Sequence, residues 1–312
     1  MNRKLTLALT AGDPCGIGPE LILKTLNSRP FLGADRQVRL VVIGDAAVLT
    51  RTANRLRLRL PPWTVMPASS YQAGLPARCI LLDLGHAGRF VPGVSSARAG
   101  VASLEYLDVA IRLCRQGLAA GMVTAPVTKW AIQRTHRSFE GQTEYLARAF
   151  RARAVVMMFV SDRLRVALLS RHVALRDVPR LITPTLVRQT VRVVNRTLQD
   201  QFGMRRPRLA VCGLNPHAGE QGRFGTEERR VLAPALRRLR REGIRLEGPF
   251  AADGLFVFAE RYDAILSWYH DQGLIPFKLV ARDAGCQLSA GLPVVRSSPD
   301  HGSALDIAGK GV

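Results

Sequence analysis

The chain has 312 residues, of which 47% are hydrophobic, 22% charged and 6% aromatic, a balance that supports a large apolar core and excludes general disorder. Five scattered cysteines, at 15, 79, 114, 212 and 286, form no CxxC pair, which argues against a disulfide framework and for a reducing cytoplasm. The formal net charge is +21, carried by 40 arginines and five lysines, and suits a nucleic-acid binder or an enzyme that attracts anionic substrates; the arginines are spread along the chain without aromatic interleaving or a zinc-finger, RRM or KH signature, which disfavours nucleic acid and favours a composition simply biased towards arginine.

No apolar run approaches the roughly 18 residues of a membrane span. Leu5–Leu9 follows Arg3 and Lys4 as a leader peptide would, but it is too short and meets Asp13-Pro14 at once, so it reads as a first buried strand. A helix is predicted over Ile17–Leu26 and a strand over Val38–Ile43. Residues 60–77, with Pro61-Pro62 and Ser69-Ser70, read as a surface connection. A strand at Cys79–Leu82, a helix at Ala97–Gln116, a strand at Met122–Thr124 and a helix at Gln142–Ala149 follow. Val155–Phe159 and Val166–Leu169 read as strands, and Pro184–Gln201 as a helix striped by Val187, Val191, Val194 and Leu198. Strand Leu209–Cys212, helix Glu227–Glu242 and strand Ala264–Trp268 complete an alternation that argues an α/β fold with a parallel or mixed sheet.

Polar clusters follow directly on the strand-like runs. Leu5–Leu9 leads into Thr10–Glu20, Met122–Thr124 into Ala125–Lys129, and Val166–Ser170 into Arg171-His172. Likewise Leu209–Leu214 leads into Asn215–Glu220, Ala264–Trp268 into Tyr269–Gly273, and Leu292–Val295 into Arg296. Ligands of open α/β sheets bind beyond the carboxyl ends of the strands, so these clusters point to an enzyme. The turn Gly12–Glu20 matches neither GxGxxG nor the P-loop; its glycines serve either a tight turn or close approach of a cofactor. His172, His217 and His270 each stand just past a strand in polar company, and either share a metal or act separately, since their spacing matches no local metal motif. Lys278 and Arg296 are isolated cations suited to a phosphate or carboxylate, or to a salt bridge. His86 and His136 lack such a setting and read as structural or surface residues.

The ordered motifs Gly12–Glu20, Thr124–Lys129, Gly141–Glu144, Arg171–Val178, Leu214–Glu220, Gly248–Asp253, Tyr269–Lys278 and Arg296–Asp306 together carry a resemblance. From about residue 5 to its end the chain resembles the 4-hydroxythreonine-4-phosphate dehydrogenase family of vitamin B6 biosynthesis. The resemblance implies a homodimer of two-domain α/β/α subunits of the isopropylmalate-dehydrogenase type, with the active site in the interdomain cleft at the dimer interface. It implies a cofactor-side domain over 1–125 with 290–312, and a substrate, metal and dimerisation domain over 126–289. NAD or NADP is the implied cofactor, with Gly16, Gly18, Asp300, His301, Gly302, Ser303 and Ala304 as its contacts. One divalent ion (Zn, Mg, Mn or Co) is implied on His172, His217 and His270, with ligands contributed across the dimer interface. The implied substrate contacts are Gln142, Thr143, Lys278, Gln287 and Arg296, with Lys278 also in a catalytic role.

The implied reaction oxidises 4-phosphooxy-L-threonine to a β-keto acid that loses carbon dioxide. Two positions depart from the family pattern: Gln142 replaces a histidine, which removes a group able to become cationic, and Gln287 replaces an asparagine. These departures keep open the same chemistry on 4-phospho-threonate or erythronate, or on a cyclic dihydrodiol carboxylate.

Overall fold

The structure is a computed structural model that describes residues 5–28, 38–72, 74–86 and 89–312. It divides into two compact units, Met1–Phe150 with Val294–Val312, and Arg151–Pro293.

The first unit holds strands β1 (Leu5–Thr10), β2 (Val38–Gly44), β3 (Thr64–Pro67), β4 (Cys79–Asp83), β5 (Gly121–Thr124) and β12 (Val295–Pro299) in the order β3-β4-β2-β1-β5-β12. Every pairing among them is parallel. Helices α1 (Gly18–Asn27), α2 (Ala46–Leu56), α3 (Ala97–Arg115), α4 (Lys129–Gln133) and α5 (Gln142–Ala149) belong to the same unit. Parallel strands need both faces covered, and β2 and β4 are accordingly almost wholly buried. Ser96 caps α3 by accepting the amide of Ala99 at 3.2 Å, and Gly100 lets the backbone of Ala131 lie against that helix where a Cβ would clash. Residues 60–77 are more than a connection: Thr64–Pro67 is the edge strand β3, whose largely exposed side chains give no apolar alternation to read.

The second unit holds β6 (Val156–Val160), β7 (Arg165–Leu168), α6 (Val178–Leu181), α7 (Pro184–Phe202), β8 (Arg208–Cys212), α8 (Ala233–Arg241), β9 (Arg245–Phe250), α9 (Ala252–Val257), β10 (Ala264–Ser267), α10 (His270–Ala281) and β11 (Cys286–Ala290). Its strand order is β11-β6-β7-β10-β8-β9. Strand β6 is antiparallel to both neighbours; on the β7 side the link of residues 161–164 is too short for a crossover and closes as a hairpin through Ser161 N to the Leu164 carbonyl at 3.0 Å. The strands β7, β10, β8 and β9 are mutually parallel. Helix α7 shows the expected stripe: Val187, Val191, Val194 and Leu198 are fully buried, with Thr183 as N-cap and Gly203 in the left-handed region at its end. The predicted helix over Glu227–Glu242 opens with a widened turn, Glu228–Leu232, before α8. Helix α10 forms despite Gly273 and Pro276, because Leu274, Phe277 and Ala281 bury one of its faces in the core.

Candidate active site

In the second unit the three candidate histidines follow the carboxyl ends of adjacent parallel strands. His172 lies four residues past β7, His217 five past β8 and His270 three past β10, in a sheet where the order is β7-β10-β8. The loops that carry them are tied to one another through Trp268, whose side chain is fully buried. Trp268 Nε1 donates to the carbonyl of Cys212 at 2.7 Å, and the carbonyl of Trp268 accepts from Ser170 N at 3.0 Å and Ser170 Oγ at 2.6 Å. Gln272 closes the set, accepting from Trp268 N at 2.8 Å and donating to the carbonyl of Gly213 at 2.8 Å. Replacing Trp268 by Phe removes one buried donor and leaves the Cys212 carbonyl unpaired, so unfolding should be easier by about 1–3 kcal/mol, as measured by urea denaturation.

The rings of His172 and His270 lie 5.6 Å apart, centroid to centroid, and His270 Nδ1 is 2.7 Å from Asp271 Oδ1. His217 packs instead beside Phe224, at 6.2 Å between ring centroids. Among the described residues of this single chain, no three His, Cys, Asp or Glu side chains converge in a group able to hold a metal.

His217 opens an unusual turn. His217, Ala218, Gly219, Glu220 and Gln221 all have positive φ, at 52°, 52°, 84°, 38° and 56°. Four of the five are not glycine, and each such residue costs about 1–2 kcal/mol relative to the right-handed form. Lys278 lies on α10 and is exposed, whereas Gln287 is buried in β11 and its Nε2 donates to Ser289 Oγ at 3.2 Å.

The first unit gathers the other substrate candidates. Arg296 stands inside β12, not past a strand as the sequence implied; the strand runs on to Pro299, with Ser297 paired to Val123 and Ser298 continuing the alternating burial. Its side chain is 3% exposed and donates through Nε and Nη2 to Thr124 Oγ1, at 3.1 and 2.7 Å, at the end of β5. Burial lowers the guanidinium pKa to about 10, against the opposing charge of Glu144, so the group remains a cation at neutral pH. Thr143 is buried in the first turn of α5. Gln142 Nε2 donates to the carbonyl of Ala125 at 3.2 Å, while its Oε1 is buried with no partner in the protein. Lys129 joins this cluster, with its Nζ 3.6 Å from where a Cβ on Gly141 would stand. Spacing alone did not reveal Thr124 or Lys129; their place at the last residue of β5 and in the polar cluster that follows it was the available signal.

The glycine-rich turn and the C-terminal motif meet in the same unit. Ile17 N donates to the carbonyl of Ser303 at 2.9 Å, and Thr128 Oγ1 donates to Ser303 Oγ at 2.9 Å. A Cβ on Gly16 would lie 2.9 Å from the Ser303 carbonyl oxygen, and one on Gly18 would strike the Ala11 carbonyl. Both glycines therefore make room for backbone. Asp13, wholly buried, accepts from Cys15 N at 2.8 Å and Ser95 Oγ at 2.6 Å and so shapes this turn. Asp300 is half-buried, His301 and Gly302 are exposed, His301 Nδ1 lies 2.9 Å from the Gly302 carbonyl oxygen, and Ala304 is left-handed with φ 44°. His86 is structural: Asp45 holds its Nδ1 through both oxygens at 3.1 Å, and its Nε2 lies 2.7 Å from Glu105 Oε2.

A family model described as pyridoxal phosphate biosynthetic protein PdxA matches residues 36–312. The chain belongs to the PdxA family. A 4-hydroxythreonine-4-phosphate dehydrogenase of Methylorubrum extorquens strain PA1 is 45% identical, over 98% of this chain and 89% of that protein. One from Geobacter metallireducens is 42% identical, over 99% of this chain and 91% of its own length. Among solved structures, the 4-hydroxythreonine-4-phosphate dehydrogenase of Klebsiella pneumoniae superposes with a TM-score of 0.85 at 33% identity, covering 98% of this chain and 94% of that one. A terephthalate 1,2-cis-dihydrodiol dehydrogenase of Burkholderia xenovorans LB400 gives 0.66 at 31% identity, covering 99% and 93%. The chain is thus similar to enzymes whose names specify different substrates.

Proposed function

We propose that this PdxA-family chain is a dehydrogenase of pyridoxal phosphate biosynthesis that oxidises 4-phosphooxy-L-threonine with NAD or NADP and a divalent cation. The observation that carries the reading, beside the names of its relatives, is the tying of the three histidine loops at the carboxyl ends of β7, β10 and β8. The donor set suits a divalent ion: His172 and His270 are neighbours, and Asp271 engages Nδ1 of His270, which leaves Nε2 as the ligating nitrogen. In this reading His217 completes the set within a homodimer that shares its active sites. Exposed Ile275 and Leu279, four residues apart on α10, support a second copy as a partner.

The chemistry brought by these groups is a lowered alcohol pKa and charge stabilisation from the ion, and hydride acceptance by the nicotinamide. The side chains supply the geometry. In the first unit Arg296 and Thr143 are assigned to the substrate phosphate, and in the second Lys278 is assigned as a substrate contact. Gln142 offers its unpartnered Oε1 to a substrate donor, and Gln287 adds a second amide. Gly16, Gly18, Asp300, His301, Gly302, Ser303 and Ala304 form the nicotinamide-nucleotide side, supported by the bonds from Ile17 and Thr128 to Ser303. Oxidation at the carbon β to the carboxylate gives a β-keto acid, and decarboxylation then yields 3-amino-2-oxopropyl phosphate. Among the described residues no helix is long and apolar enough to cross a membrane. All five cysteines are unpaired, and burial pushes the thiols of Cys15 and Cys212 up to about 12, which suits a reducing cytoplasm.

A second reading keeps the chemistry and changes the substrate, to 4-phospho-threonate or erythronate or to a cyclic dihydrodiol carboxylate. The neutral Gln142 favours it, because a buried amide oxygen serves a hydroxyl without needing an anion nearby. NADH formation with added divalent ion separates the two. Turnover of 4-phosphooxy-L-threonine is expected; activity confined to a phosphorylated sugar acid or a dihydrodiol overturns the first reading.

A further inference from the structure

The left-handed turn at His217–Gln221 needs something to hold it, and the residue placed to do so is Glu228. Glu228 is 5% exposed, at the start of the widened turn before α8. Its Oε1 accepts the backbone amide of Asn215 at 2.7 Å, and its Oε2 accepts Asn215 Nδ2 at 3.0 Å, so one carboxylate fixes the residue from which the turn departs. The Asn215 amide group also reaches Glu227 Oε2 at 2.8 Å.

The other side of the carboxylate lies against the turn. A Cβ on Gly219 would stand 2.7 Å from Glu228 Oε2, and one on Gly213 would stand 3.3 Å from Oε1 and 2.7 Å from the Cα of Ala218. Two glycines thus let the reversed backbone close around a buried anion. The bonds within the segment, Ala218 N to the Asn215 carbonyl at 3.1 Å and Phe224 N to the Gly219 carbonyl at 3.2 Å, complete the turn but do not anchor it to the unit. Glu228 does, through Asn215.

We propose that Glu228 is a positioning residue: it holds the left-handed turn and thereby fixes the imidazole of His217 for the divalent ion. This inference rests on the reading of His217 as a ligand. Its proposed action runs through Asn215 and the backbone of 217–221. Outer residues that orient a ligand typically contribute about 10- to 100-fold to metal affinity.

The test uses the metal-free full chain titrated with Co2+, together with the rate of tryptic cleavage after Arg223, which is exposed at the end of the turn. Glu228→Ala is expected to weaken Co2+ binding about tenfold or more, and to speed that cleavage. Glu228→Gln keeps an acceptor for the Asn215 amide and is expected to fall between Glu228→Ala and the parent on both readouts. Parent-like Co2+ affinity and cleavage in Glu228→Ala overturn the proposal, and so does a lowered urea midpoint with both readouts unchanged. His217→Ala is the control. If it retains Co2+ affinity, the ligand reading fails, and faster or unchanged cleavage in Glu228→Ala then decides whether Glu228 holds the turn.

Discussion

His217→Gly is expected to be inactive and yet more stable than His217→Ala by about 1 kcal/mol. At φ 52° a glycine sits without the Cβ clash that every other side chain meets. The imidazole is exposed, so its removal leaves no cavity, and neither variant should lose the fold. Under the proposed role of His217 as a ligand to the divalent ion, turnover should fall at least about 1000-fold in both, since such a ligand acts on the chemical step itself. Paired urea curves and NADH assays measure the two effects separately. A His217→Gly variant that keeps parental activity under rigorous metal removal defeats the metal mechanism. One less stable than His217→Ala defeats the account of the turn. A residue kept where glycine would be easier for the backbone is one whose side chain is needed, and local strain concentrates at such sites.

Arg296→Met should lower kcat/KM by about 100- to 1000-fold, corresponding to about 3–4 kcal/mol for loss of a buried charged partner to an anionic substrate. The loss should fall mainly on KM if the guanidinium binds ground state and transition state alike, and on kcat if it aligns the reacting carbon. Arg296→Lys should recover little, since an ammonium group cannot reproduce the two-nitrogen contact that Arg296 makes with Thr124 Oγ1. The parent's dependence on this group should stay flat through neutral pH, where the buried guanidinium remains a cation despite the lowering by burial. Initial rates over a substrate series for the three proteins test this. Parental kcat/KM in Arg296→Met removes Arg296 from the substrate site.

The strands that pass through the core were legible because burial on both faces leaves continuous apolar runs, as at Val38–Ile43, Cys79–Leu82 and Leu209–Cys212. Edge strand β3 was not, since its exposed side chains carry no period, and β12 was cut short because Arg296 and two serines look like a loop until their pairing is known. Helix α10 hid behind Gly273 and Pro276, whose local preferences tertiary burial overrides. At the candidate site, position was the informative signal: a histidine just past a strand end is readable in one dimension. The residues that hold those histidines are not, because Trp268 works through Cys212 and Ser170, and Glu228 through Asn215, by contacts that no spacing rule anticipates.

The tie made by Trp268 also makes the protein legible to light. Of the three tryptophans only Trp268 is sealed from solvent, while Trp130 is half exposed. The indole bonds the end of β8 while the main-chain carbonyl of the same residue holds Ser170 beyond β7, so the blue edge of the emission belongs to the joint from which the three histidine loops leave. Opening of that joint wets one chromophore and shifts one part of the spectrum. The histidine-bearing crest of the second unit therefore carries its own optical gauge, one that needs no label and distinguishes a loosened crest from a loosened surface.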